Sequence, residues 1–351
     1  MAKKVGIDYD LMHFMRIENY TRKIQQLYLS AIREAGDISQ GVKLSCEGQF
    51  SFERYPKTKQ RIDKLISGLN SQMVSSIEDM THKEWLASCY KSDALVDYIA
   101  AKTKLPTTLL EKYKNRNLEA LSAFQQRKIN GLDLSDRVWK YTNQFKGELE
   151  LGFDLGLGQG RSAAQLSRDL RSYLNDPEML FRRVQDKHGN LALSKNAQKY
   201  HPGQGIYRSS YKNAMRLTRT EVNMAYRASD YEKNQQLDFV VGFEVRRSNN
   251  IFACPVCESL KGRYPKTFKF VGWHPQCRCH CISITSTQEE FIEHEKKLLA
   301  GEESVLKSAN EVKDVPDNFK GWVNDNKERI DNAKQKPYFL LENEKLIKAA
   351  K

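Results

Sequence analysis

Five of the seven cysteines of this chain lie in one stretch, CPVCESLKGRYPKTFKFVGWHPQCRCHC, which begins at Cys254 and ends at Cys281. So short a thiol-rich segment has three ways to fold: it closes on disulfides, it buries reduced thiols, or it closes on a metal ion. Cys254 and Cys257 have the Cys-x-x-Cys spacing that presents two sulfurs to one ion without straining the backbone, and Pro255 stiffens that turn. A second pair comes from His274, Cys277 and Cys279 in one of three combinations: His274 with Cys277 across Pro275, Cys277 with Cys279, or His274 with Cys279. On a regular strand, residues two apart stand about 6–7 Å from each other, too far for the sulfurs of one zinc tetrahedron. A Cys-x-Cys pair therefore requires a bend, which Pro275 and Gly272 can provide. Cys281 is set aside, because in CHCISIT it alternates with His280, Ile282 and Ile284 as part of a returning strand. The ligand set stays open among Cys254, Cys257, His274, Cys277 and Cys279.

Zinc is the expected ion. The chain has no run of about 18 apolar residues, and its start lacks the basic-then-apolar order of a secretory signal, so it reads as made in a reducing cytoplasm, with no membrane association. That argues against native disulfides, and Cys46 and Cys89 read as free buried thiols. Five donors crowd around one ion and Glu258 is the single acid within the loop, a composition that favours a closed structural site over a catalytic one. The segment between Cys257 and His274 is read as poor in apolar side chains, so the ion is expected to substitute for a missing core.

Upstream, the pattern is helical. Ile17, Tyr20, Ile24, Leu27, Leu29 and Ile32 recur at three- and four-residue steps, with Gly36 as a stop; Ile62, Leu65, Leu69, Met73 and Ile77 form a second stripe. Pro106 opens a third run through Phe124. Asp136 is expected to cap a helix burying Val138, Trp139, Tyr141, Phe145 and Leu149, and Ser162 to cap one burying Leu166, Leu170, Tyr173 and Leu174. Gly152, Gly156, Gly158 and Gly160 do not make a nucleotide loop, since no strand precedes them and no Lys-Ser/Thr follows; they read as a helix end and tight turn. His188 and His201 sit in turn-like sequence. RLTRTEVNMAYRASDYEKNQQL returns to helix, with Glu221 in a helix-surface ion pair, and DFVVGFEVRRSN alternates as a strand leading into the cysteines.

The net charge is +13, and Arg161 to Tyr231 carries thirteen Lys/Arg against six Asp/Glu. Arg161, Arg168, Arg171, Arg182, Arg183, Arg216, Arg219 and Arg227 are assigned to a basic face that attracts nucleic acid or an acidic protein surface. No aromatic side chains interleave for base stacking, so sequence-specific recognition is not expected. The fold class expected is mainly α with a small C-terminal β element closed by a zinc-knuckle-like Cys/His cluster (α+β). The domains expected are a helical region at 1–134, a basic helical core at 135–250, the zinc-binding β element at 251–285 and a short helical appendage at 286–351.

The order LTRTEVNMAYR, strand, C-x-x-C-x-x-L-x-G and HPQCRC resembles the C-terminal signature of the phage Mu F-type (MuF) minor head proteins, the phage head morphogenesis family. The residues that carry the likeness are Arg219, Thr220, Glu221, Cys254, Cys257, Leu260, Gly262, His274, Pro275, Cys277, Arg278 and Cys279, and GQGRSAAQLSRDLRSYL is similar to the family's Gly-Ser-x-x-x-Leu segment. The resemblance covers roughly Leu151 to Ile284. It implies a virion structural protein, assembled in the host cytoplasm into the phage head, that associates with portal and capsid proteins and touches double-stranded DNA non-specifically. Some members carry enzyme or toxin domains after the cysteines. Here Trp322, Ile330 and Phe339 suggest only a short appendage without a nuclease or transferase constellation, so no enzymatic activity is expected. The alternatives are a zinc-dependent nuclease, using His274 or His280 with Glu258 or Glu221, and a nucleic-acid-binding module.

Overall fold

Sustained three-and-four periodicity yields long helices. The computed structural model describes residues 7–43, 50–103, 105–157, 159–176, 209–248, 254–302, 304–333 and 335–349, together with 184–185, 188–189, 191–192 and 207. Helix α1 (Ile7–Gln40) runs for 34 residues and α2 (Pro56–Thr103) for 48. Helices α3 (Thr107–Lys114) and α4 (Leu118–Gln126) split the run opened by Pro106, with Asn117 at a φ of 51° between them. Then come α5 (Leu134–Leu157), α6 (Ala163–Asn175), the hairpin strands β1 (Val184–Gln185) and β2 (Leu191–Ala192), and α7 (Ser210–Gln236). Strand β3 (Val240–Arg246), helix α8 (Pro255–Ser259), β4 (Gly262–Tyr264) and β5 (His280–Thr285) follow. The chain closes with α9 (Gln288–Leu299), α10 (Asp317–Asp325), α11 (Lys327–Asp331), α12 (Tyr338–Leu341) and α13 (Glu344–Ala349). This is the mainly helical fold with a small antiparallel sheet that the patterns imply.

The chain divides into two compact units, one of Met1–Glu18, Met80–Gln125 and Arg219–Lys351, the other of Asn19–Asp79 and Gln126–Thr218. Boundaries at 134, 250 and 285 therefore do not mark the units. Their limits fall inside α1, α2 and α7, because helices this long supply one core with their first turns and another with their last.

The second unit is mainly helical, carries the small β1–β2 pair and is basic, with 25 Lys/Arg against 16 Asp/Glu in its sequence, a net of +9. Gly36 does not stop α1. It lies within the helix, where a Cβ would stand 2.5 Å from Ser167 Oγ and 3.1 Å from the Ala163 carbonyl, so its bareness lets α6 approach. Gly152 and Gly156 do the same from α5, where a Cβ would meet Leu170 and Leu166 of α6 at 2.6 and 2.5 Å. The turn itself is made by Gly160, at φ +65°. Asp133, not Asp136, starts α5: its carboxylate accepts from Asp136 N at 2.8 Å while Asp136 Oδ2 accepts from Asp133 N at 3.3 Å. Ser162 caps α6 as expected, in a reciprocal box with Gln165. The buried Glu148 of α5 accepts from Ser210 N at 2.8 Å, from Ser210 Oγ and from Gln144 Nε2 at 3.0 Å, so it caps the first turn of α7. Burial pushes its carboxyl up to about 8. Cys46, His201 and Gly158 lie outside the described residues.

The first unit, which we call the cysteine unit, holds the sheet and is closer to charge balance, with 32 Lys/Arg against 28 Asp/Glu. Strand β3 is central: it pairs antiparallel with β4 (Phe243↔Tyr264, Val245↔Gly262) and with β5 (Val245↔Cys281, Arg246↔His280), with an irregularity between Val240 and Gly242. Among the described residues, its buried apolar side chains include three clusters. Trp85, Cys89, Leu121, Phe124, Met224, Ala225 and Val271 make one, and Leu95, Val96, Tyr113, Leu237, Phe239 and Phe291 a second. Cys89 is thus a buried free thiol, as expected. The third cluster surrounds the cysteines.

Candidate metal centre

The sheet delivers every donor to one end. Cys254 and Cys257 sit at the start of α8, on the connection from β3 to β4, while His274, Cys277 and Cys279 lie on the connection from β4 to β5. Two groups of side chains bring ligand atoms within 4.8 Å of one another: Cys254, Cys257 and His274, and Cys257, Cys277 and Cys279. Cys257 belongs to both, so all five residues singled out in the sequence converge and could hold a metal ion. His274 Nε2 is 3.2 Å from Cys254 Sγ and 3.1 Å from Cys257 Sγ, and Cys257 Sγ is 3.9 Å from Cys277 Sγ. Thiolates sharing a tetrahedral ion at about 2.3 Å stand about 3.8 Å apart, so that sulfur pair has the required spacing. Cys281 is buried on β5 and falls in neither group.

Neighbouring groups hold these donors in place. His274 Nδ1 donates to the Pro275 carbonyl at 2.8 Å, which leaves the Nε2 lone pair facing the sulfurs, the arrangement a metal-binding imidazole uses. The turn from His274 to Cys277 closes with Cys277 N donating to His274 O at 3.1 Å, with Pro275 at its second position and Gln276 at its third with φ 61°. That third position favours glycine or asparagine. Gln276 is held there from α7: its N–H donates to Thr220 Oγ1 at 3.3 Å and its Oε1 accepts from Arg219 Nη1 at 3.5 Å.

Two turns further along α7, Arg227 Nη2 donates to the carbonyls of Cys277 at 2.7 Å and Cys279 at 2.6 Å, bending the Cys-x-Cys segment so that both sulfurs face Cys257. The guanidinium also lies over the Phe270 ring. A Cβ at Gly272, whose φ is +108°, would stand 2.8 Å from Arg227 Nη1, so the bend expected of Gly272 is tied to the passage of this arginine. Hydrogen bonds from Cys257 and Cys279, reinforced by the Arg227 charge, push the Cys277 thiol well below its ordinary range, toward the thiolate that metals bind.

The expectation that the loop lacks a core is overturned. Leu260, Tyr264, Phe268, Phe270, Val271 and Trp273 are all buried. Trp273 packs against Phe270 (ring centroids 4.8 Å), Tyr264 (5.6 Å) and Phe339 (5.0 Å). Phe319 of α10 and Phe339 and Leu340 of α12 complete this cluster, so the C-terminal helices are part of the core around the cysteines and not an appendage. The aromatic residues were visible in the sequence, but their spacing fits neither a strand nor a helix, and their partners lie 50 to 70 residues away.

The basic face is also revised. Arg227 is 4 % exposed and serves the cysteine turn. Arg219 is half-buried and bonded to Glu18 at 3.1 Å. Arg161 pairs with Asp169, and Arg216 is half-buried. Arg168 and Arg171 are exposed on α6, and Arg182 and Arg183 lie outside the described residues. Glu221 is buried, so it is not a surface ion pair. Glu258 is exposed and engaged by Lys261 and Arg247. Sequence reasoning missed Arg227 and Thr220 as supports; the available signal was an arginine flanked by apolar and small residues in NMAYRAS.

Compared with known proteins, the chain matches no family model, no curated protein and no solved structure.

Proposed function

We propose that the five-donor cluster is a structural zinc site and that the chain is a non-enzymatic component of a phage head, acting with portal and capsid proteins. The observation that carries the zinc reading is the convergence of four cysteines and a histidine in two groups that share Cys257, with a buried arginine donating to the carbonyls of Cys277 and Cys279. Zinc would be held by four of Cys254, Cys257, His274, Cys277 and Cys279, and it would tie the β3–β4 and β4–β5 connections together. Among the described residues, the groups that gather here contain no carboxylate, Glu258 is committed to surface cations, and Glu221 is buried on α7. Those facts favour a closed site over a hydrolytic one.

The head-assembly reading rests on the resemblance to the MuF minor head proteins. Its support is that residues of that motif scattered over 61 positions act on one another: Arg219 and Thr220 hold Gln276 beside His274, Pro275 and Cys277. The test is whether a neighbouring reading frame encodes a portal protein, followed by co-expression of this chain with that portal. Co-purification of the pair, with one zinc per chain by elemental analysis, is expected, and a Cys257→Ser chain should lose the metal. A chain that carries no zinc, or that ignores portal and capsid proteins while cutting DNA in a chelator-sensitive way, overturns the respective part.

A further inference from the structure

The first turns of α1 are inverted with respect to an ordinary amphipathic helix. Asp10 is 4 % exposed and His13 1 %, whereas Leu11 is 60 %, Met12 54 % and Met15 63 % exposed. The buried side is polar by construction. Asp10 accepts from Lys91 Nζ at 3.0 Å and from the Tyr226 hydroxyl at 3.0 Å. His13 lies between Glu84 at 2.6 Å and Asn223 at 3.0 Å, and Arg16 reaches the same Glu84. The helix is therefore anchored by charge, and its long apolar side chains are left facing water. Isolated exposed apolar residues are ordinary, but three within two turns of one helix mark a contact surface.

The spacing along that outward face says what contacts it. Asp8, Met15 and Arg22 are exposed and seven residues apart, and Leu11, Met12 and Asn19 fill the positions between them, so the face has a heptad seam two repeats long. Its ends carry opposite charges placed symmetrically about Met15. A second copy of the same helix, laid antiparallel with a two-fold axis at Met15, sets Met15 against Met15 and brings Asp8 of each chain opposite Arg22 of the other. Leu11 then faces Asn19 and Met12 faces Glu18, on either side of the central Met15 pair. Lys23, also exposed, adds to the positive end. A partner with a uniformly charged or purely apolar face would leave one end of this seam unmatched; a second copy matches both.

We propose that α1 carries a self-association surface through which two copies of this chain pair antiparallel about Met15. Such a contact is isologous, so it closes at two chains. One helix pair buries less than the roughly 1,200–2,000 Å² of a standard stable interface, which places the dissociation constant in the micromolar range or weaker. The contact would become populated where chains are already concentrated.

Sedimentation velocity on the full chain across micromolar to several hundred micromolar concentrations tests this. The wild type is expected to show a reversible monomer–dimer equilibrium, and Met15→Glu, a surface change, to remain monomeric throughout with unchanged circular dichroism. Asp8→Arg and Arg22→Asp should each weaken association about tenfold, because each places two like-charged pairs in the dimer. The double variant Asp8→Arg/Arg22→Asp should restore wild-type association. A wild type that stays monomeric, a Met15→Glu chain that still dimerises, or a double variant no better than the single ones would overturn the proposal.

Discussion

The two compact units of this chain solve the same problem by opposite means. The second unit brings helices together by removing side chains: Gly36, Gly152 and Gly156 are the points where α6 meets α1 and α5, and apolar stripes fill the rest. The cysteine unit works by adding large groups, with seven aromatic rings from Phe243 to Phe339 packed beside a cluster of five metal-type donors. The lesson is that regular elements can rely on their own periodicity, whereas irregular connections need anchors from distant parts of the chain. Charge follows the same division, +9 in the helical unit against +4 in the cysteine unit.

The sharpest way to break that comparison is to ask whether the metal or the rings order the cysteine connections. Trp273→Ala should cost about 3–5 kcal/mol, the range for truncating a buried aromatic, read by denaturant unfolding. Chelation should instead raise amide exchange at 254–259 and 274–279 while leaving 262–273 protected. If chelation opens 262–273 as fully as Trp273→Ala does, burial is not what orders that segment.

Next in size is the dependence on pH, where Glu148 of the basic unit and Glu84 of the cysteine unit should act in opposite directions. Glu148 has a folded-state carboxyl raised to about 8, so the stability it contributes is present below the unfolded carboxylate range and is lost as pH rises from about 4.5 to 8. In the cysteine unit burial pushes Glu84 up, but its hydrogen bonds to Arg16 and His13 prevail and hold it below the usual range. Its contribution is present above the unfolded value and disappears as pH falls through the folded one. Unfolding followed by exchange in each unit should show the basic unit gaining a few kcal/mol between pH 8 and 5, with Glu148→Gln flattening that slope. A basic unit whose stability rises with pH over this window contradicts the assignment.

Arg227→Met should cost about 2–4 kcal/mol, because it leaves the Cys277 and Cys279 carbonyls without their charged donor. Metal affinity should fall about 10- to 100-fold, the effect of losing a group that orients ligands. Competition with a chromogenic chelator reads the second number, and an unchanged affinity would reduce Arg227 to a packing role.

The smallest effects contrast two helical glycines of the basic unit. Gly36→Ala should destabilise by about 1–3 kcal/mol through overpacking against Ser167 and the Ala163 carbonyl. Gly68→Ala, with nothing within 4 Å of its Cβ, should stabilise by about 0.5–1 kcal/mol through helix propensity. Equal changes at both sites would mean that close approach is not what Gly36 provides.

How much of this could be read in advance differs by kind of residue. Helical stripes such as Ile62 to Ile77, the Ser162 cap, the β3 and β5 alternation and the five donors were legible, because each is a pattern within a few residues of itself. Gly36 was misread as a stop and Glu221 as a surface group, since local sequence does not reveal what packs opposite. The loop between Cys257 and His274 was misread for the same reason: Trp273 needs Phe339, and no local period connects them.

Periodicity and donor spacing were thus enough to specify a helical protein with one thiol-rich closure, since both depend on backbone geometry within a turn or two. Long-range packing was needed to assign Arg227 to the cysteine turn, Gly36 to the passage of α6 and the last helices to the aromatic core. The reason is physical: a side chain's burial and hydrogen-bond partners depend on which surfaces share its volume, and that information is spread over the whole chain.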